Sequence, residues 1–226
     1  MRKARIYVLL IAVVAVPGLM GLVFSQEPAA RGRTLSEWLV LLDGAQDPKN
    51  PACEAILEMG SDTVPYLLKW SRYEMPPWKR RLYKLVNPIT RHFEKPSSAA
   101  EKKARAQAAM LGLIVLGPKA ESAVPQLSKM LRETNDLTIA RFAPMALSRI
   151  GTAGLPPLVA ALTNQQTTSL MRCYVMSHLG MMGTNAAPCI PALERALEDS
   201  NWNVRTFATN LLRRIRPPRS DEFAER

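Results

Sequence analysis

The pattern that most constrains this chain is a punctuation of glycine and proline that recurs four times. An apolar stretch of helical character ends in Gly, a short polar link follows, and Pro opens another apolar stretch. The glycines are Gly60, Gly117, Gly151 and Gly183, and the matching prolines are Pro65, Pro125, Pro156 and Pro191. Gly just past a helix end accepts a left-handed backbone without a Cβ clash. Pro near a helix start lacks only an N–H that would be unpaired there anyway. After each Pro the apolar residues return at helical spacing, as Leu127, Met130 and Leu131 do, and again Leu193, Ala196 and Leu197. Eighteen prolines would break a single long helix, but at joints they suit many short ones.

A second mark follows about two helices later. Arg81, Arg141 and Arg172 each lie 16 residues beyond the Pro, and Arg205 lies 14 beyond. The last three head predicted helices, with Asp136 and Ser200 placed as N-caps for two of them. The unit is therefore a helix pair, and the last three glycines are 34 and 32 residues apart. One pair cannot bury its apolar faces alone, so neighbouring pairs must stack. The expected fold class is all-α, an α-solenoid. No segment alternates apolar and polar residues over a strand length, so no sheet is expected. The recurring arginines are expected to hydrogen-bond carbonyls or carboxylates of a neighbouring unit.

The fullest copy of the repeat runs from Gly183 to Leu212, through Ala187, Pro191, Leu193, Leu197, Asp199, Val204, Arg205 and Ala208. It resembles the short HEAT repeats of the phycobilisome-lyase type. The resemblance covers about Pro51 to Pro217 and is clearest after Ala99. It implies a right-handed superhelix of helix pairs and a protein-binding role; it says little more about function.

Two stretches depart from the repeat. Thr34-Leu-Ser-Glu37 forms a capping box ahead of a helix predicted over Leu35–Leu42, which would close the solenoid at its N-terminal end. Further on, Gly60 and Gly117 are 57 residues apart, about 25 more than one unit. Ser98-Ala-Ala-Glu101 is a second capping box, expected to start a long helix to about Leu116. The organisation read from these marks has residues 1–25 as a signal anchor or signal peptide and 26–33 as a linker. The solenoid occupies 34–217, with a cap and first degenerate repeat over 34–68, an insertion over 69–98 and regular repeats over 99–217. Residues 218–226 are expected to be a flexible tail.

The N-terminal assignment rests on Arg2, Lys3 and Arg5 ahead of an uncharged run from Ile6 to Phe24. At about 1.5 Å per residue this run spans roughly 28 Å, close to a bilayer core. Pro17-Gly18 interrupts it, and Val23-Phe24-Ser25 suits cleavage after Ser25, so anchor and cleaved signal both stand. Either way the basic flank stays inside and the remainder is exported, to the outer face of the cell membrane or to a secreted or periplasmic pool. Three cysteines, Cys53, Cys173 and Cys189, have neither metal-pair spacing nor a dense disulfide framework, and read as small apolar side chains. Whether Cys173 and Cys189 pair is left open by the sequence.

The charge signal lies in the insertion. From Lys69 to Arg105 there are 11 Lys or Arg and three acids, a net +8, which matches the net charge of the whole chain after Ser25. Trp70, Tyr73, Trp78 and Tyr83 are interleaved with the bases. The candidate contact residues are Lys79, Arg80, Arg81, Lys84, Trp70, Trp78 and Tyr83, facing an anionic membrane surface or an acidic protein partner. A solvated basic face is the plainer reading of the same run. Nucleic acid is the least favoured partner, because export removes the opportunity.

Catalytic groups are scarce. His92 has Glu94 two residues on, the wrong face of a helix, and His178 sits among Met and Leu. Deoxyhypusine hydroxylases also use HEAT repeats, but bind iron through His-Glu dipeptides, where this chain has His92-Phe93 and His178-Leu179. No phosphate loop, nucleophile elbow or zinc spacing is present. Met171, Met176, Met181 and Met182 read as adaptable core or groove lining. The expectation is a non-catalytic scaffold for an unidentified protein partner, with no cofactor, no metal and no catalytic residues. The alternative is a lyase-like or cofactor-handling protein related to the phycobilin lyases, to which the export segment is opposed.

Overall fold

A computed structural model describes residues 27–42, 49–71, 97–133 and 137–216. The N-terminal hydrophobic run, the tail from residue 217 and most of the insertion (72–96) lie outside these residues. The described chain is overwhelmingly helical, and its helices pack side by side, consistent with HEAT-type helical repeats.

The first helix, α1 (Leu35–Val40), ends two residues earlier than predicted. Its capping box forms: the Glu37 carboxylate accepts from the Thr34 backbone N–H at 2.7 Å and from the Thr34 hydroxyl at 3.0 Å. Ahead of it the expectation of no sheet fails. Ala29–Ala30 (β1) pairs antiparallel with Arg33–Thr34 (β2). The turn between them is Arg31-Gly32, both with positive φ (52° and 76°), the backbone a two-residue hairpin needs to match strand twist. Two-residue strands carry no periodicity, so nothing in the alternation could announce them. The hairpin is held down where Trp38 donates its indole N–H to Ala30 O at 2.9 Å.

The pairs follow. Helices α2 (Pro51–Met59) and α3 (Val64–Ser71) make the first. The second is α4 (Ser97–Leu116) with α5 (Val124–Glu133), and the third is α6 (Leu137–Ile150) with α7 (Leu155–Thr163). The fourth is α8 (Ser169–Met182) with α9 (Ile190–Ala196), and α10 (Trp202–Ile215) stands at the end of the described stack. Helices α2, α4, α6, α8 and α10 form one row, each packed on the next, while α5, α7 and α9 form the other. Between the rows runs one continuous core, including Ile56, Leu113, Leu147, Leu158, Leu179, Leu193 and Leu211. On α10 the buried residues Val204, Ala208, Leu211, Leu212 and Ile215 share one face. Asn203, Thr206, Asn210 and Arg213 are exposed, and so are Trp202 and Phe207 of the same helix.

The proline positions hold. Pro65, Pro125, Pro156 and Pro191 are each the second residue of a helix, where a missing N–H costs nothing. The links are more ordered than expected, each winding into a 3-10 helix: Gly60–Thr63, Gly117–Ala123, Thr152–Gly154 and Gly183–Cys189. The four turn glycines all have positive φ. Gly60, Gly151 and Gly183 are not in the left-handed helical well, however. Gly151 has φ 93° and ψ −137°, the mirror image of extended backbone, which a Cβ disfavours still more. Gly154 is required for a different reason: a Cβ there would lie 2.0 Å from the Leu147 carbonyl oxygen.

The helix caps differ in detail. Thr168 caps α8 by accepting from Met171 N at 3.3 Å. For α10 the cap is Asn201, which accepts from Asn203 N at 3.0 Å, and not Ser200. Asp136 lies outside the described residues. Helix α4 begins at Ser97, one residue before the Ser proposed to cap it.

Candidate functional site

Of the residues assigned to the basic contact surface, the structure describes one. Lys79, Arg80, Arg81, Lys84, Trp78 and Tyr83 lie outside the described residues. Trp70, in the last turn of α3, is half-buried and tied into the fold from two sides. Tyr66 meets it at 6.0 Å between ring centroids, tilted by 56°, and the Arg105 guanidinium of α4 sits 4.2 Å above its ring. Arg105 also faces Glu27, at 3.8 Å. This cation–π contact fastens the two helices that flank the insertion.

The recurring arginines do not share one geometry. Arg172, at the head of α8, is the buried one. It reaches the Asp199 carboxylate of the following inter-helix link at 2.9 and 3.0 Å and donates to its own Thr167 carbonyl. The side chains of Arg172 and Asp199 are only 10% and 14% exposed. Asp199 also accepts from Asn201 N at 2.9 Å, so one carboxylate ties the head of α8 to the cap of α10. Arg205 meets backbone carbonyls in place of a carboxylate. It donates to the carbonyls of Asp199 and Ser200 at 2.7 and 3.0 Å, in the link leading into its own helix. Arg141 lies over the Phe142 ring at 5.5 Å, and the link before it, residues 134–136, is outside the described set.

Above the Arg172–Asp199 pair is an open cleft of about 630 Å³. It lies where the C-terminal ends of α7 and α9 meet their following links. Arg172 and Asp199 belong to its lining, with Asn164 and Gln165 after α7 and Arg195 and Glu198 at the end of α9. Two arginines thus face two carboxylates, and the lining is charge-balanced. Asn164 uses its carbonyl oxygen to accept from Gln166 N at 2.9 Å, which fixes the α7 corner of the cleft. Sequence reading did not single out Gln165, Arg195 or Glu198. The available signal was Asp199 in the repeat pattern, about one unit beyond Arg172.

The remaining reactive side chains sit apart from this cleft. His178 is half-buried on α8 with its Nδ1 unpartnered; burial pushes its pKa down, and the Arg149 charge adds to that. Cys53, Cys173 and Cys189 are all outside disulfides, and burial raises the Cys189 pKa to about 11. Among the methionines, Met171 and Met176 are core residues, whereas Met181 is 60% exposed.

The family profile described as PBS lyase HEAT-like repeat matches residues 171–199. That segment is one repeat: nearly all of α8, the 3-10 link, α9 and the link as far as Asp199. It therefore contains both members of the buried ion pair. No curated protein matches the chain. Among the described residues no helix is long and apolar enough to cross a membrane.

Proposed function

We propose that this HEAT-like repeat protein is a non-catalytic binding scaffold, exported and held at the membrane by its N-terminal segment. In this reading the basic, ring-rich insertion contacts anionic lipid or an acidic protein partner. The supporting observation is the stack itself. Its helices spend their apolar faces on one another, and its best-buried charges, Arg172 and Asp199, pair within one repeat. What is left for recognition is the surface of links and insertions. The insertion concentrates a net +8 between Lys69 and Arg105 at the point where the repeat is interrupted, which packing alone does not require. Trp70 and Arg105 brace its base.

Each Lys or Arg near an anionic surface contributes about 1 kcal/mol, so several must act together. Reversing Lys79, Arg80, Arg81 and Lys84 to Glu should abolish association of residues 26–226 with anionic liposomes or a captured acidic partner. The unaltered protein should release steeply as salt is added. A variant that folds and binds as before would reduce the insertion to a solvated face. Topology is tested separately: alkaline phosphatase fused after Arg226 should be active, and a cytoplasm-only reporter there should be silent.

A further inference from the structure

We infer that the cleft between the ends of α7 and α9 is a docking site for an extended protein segment carrying an acidic and a basic side chain. This rests on the scaffold reading and adds a second surface to it. The fold itself uses most of the charges around this cleft. Around the last helix pair and α10, Arg172 pairs with Asp199 and Arg216 with Glu194. Arg205 is spent on link carbonyls, and Arg214 donates to Gly180 O at 3.2 Å. Among the described residues Arg195, Glu198 and Arg213 make no such contact, and two of these three, Arg195 and Glu198, line the same cleft. Both are exposed, so neither is held there by burial.

The cleft's chemistry selects its occupant. Arg172 is neutralised by Asp199 beneath, so the floor offers no net charge to a simple anion or cation. The walls offer one guanidinium and one carboxylate, with the Gln165 amide and the Asn164 NH2 beside them. Arg195 can take an acidic side chain through paired N–H donors, and Glu198 can take a basic one. The two amides match the C=O and N–H of an extended backbone, which a lipid headgroup or a phosphate does not present. A volume of about 630 Å³ falls in the range of specific ligand sites and holds a short stretch of chain.

The test is selection of a random dodecapeptide display library on the immobilised full chain in detergent. Enriched peptides should pair an acidic with a basic residue, and synthetic copies should bind at least tenfold more weakly to Arg195→Glu and to Glu198→Lys. Both positions are exposed and unpaired among the described residues, so thermal melts of the variants should match the parent. The doubly exchanged chain, Arg195→Glu with Glu198→Arg, should recover binding to peptides whose charges are exchanged in order. No enrichment, enrichment of peptides lacking the pair, or equal binding by the variants would overturn the inference. The insertion and the cleft fail separately. Cleft variants should keep liposome association, and the fourfold Glu variant of the insertion should keep the peptides.

Discussion

Replacing Asp199 with Ala should do more damage than any other single change at a charged residue of the described stack. The substitution strands the Arg172 guanidinium, 10% exposed, without the carboxylate it meets at 2.9 Å, and also removes the acceptor for Asn201 N. Stripping one partner from a buried pair costs about 3–5 kcal/mol, because the other charge stays desolvated. The slight exposure of both side chains favours the lower end of that range. For a chain of this size each kcal/mol moves the melting midpoint by about 2–4 °C, so a fall of roughly 6–12 °C is expected. Because stacked repeats open unit by unit, hydrogen exchange resolves the loss better than a global melt. Amides of α8, α9 and α10 should lose protection while those of α2 and α4 keep theirs. Asp199→Asn keeps an acceptor and should lose about half as much. If Asp199→Ala melts within about 1 kcal/mol of the parent, the pair is not what holds α8 to the cap of α10.

Four further outcomes follow from the geometry. Gly151→Val should cost about 1 kcal/mol or more through backbone conformation alone, since no atom lies within 4 Å of the added Cβ, whereas Gly154→Ala should cost about 3 kcal/mol against the Leu147 carbonyl; denaturant midpoints would rank them. Arg205→Ala should lower stability by about 1 kcal/mol, its carbonyl bonds being exposed, and leave peptide and liposome binding intact; lost binding with an unchanged melt would make it a site residue. Bonds from Thr34 hold the Glu37 carboxyl below its usual 4.5, so the α1 cap contribution is present above that value and is lost as pH falls through the lowered one, read as fraying of α1 amides in acid. Cys189, with its thiol pushed up to about 11, should resist alkylation at pH 8 until the protein unfolds, while Cys173 reacts first.

The repeat was legible because its marks are local backbone requirements. Gly151 must take positive φ and Pro156 must avoid a needed N–H, and both facts are written in single residues. The Thr34–Glu37 box was legible for the same reason. The hairpin over Ala29–Thr34 was not, since two-residue strands have no period and Arg31-Gly32 is a weaker turn signal than Asn-Gly. Ser200 and Asn201 are both good cap residues, and only the backbone at Asn201 decides between them. The cleft was least legible of all. It depends on Gln165 and Glu198 meeting across two links 33 residues apart, a distance fixed by the stacking of α7 on α9 and not by any local pattern.

The packing of α3 on α4 explains where this chain can be edited. Both ends of the insertion leave from helices that already grip each other, through their shared core and through Arg105 over Trp70. Closing a loop between anchored ends becomes harder only slowly with length, by about 0.6 kcal/mol for each doubling. Segments of quite different length and composition could therefore be grafted between Ser71 and Ser97 while the rest of the stack stays in register. The joint is in effect a socket: the repeats provide a rigid mount, and what is mounted there can change without the mount having to be rebuilt.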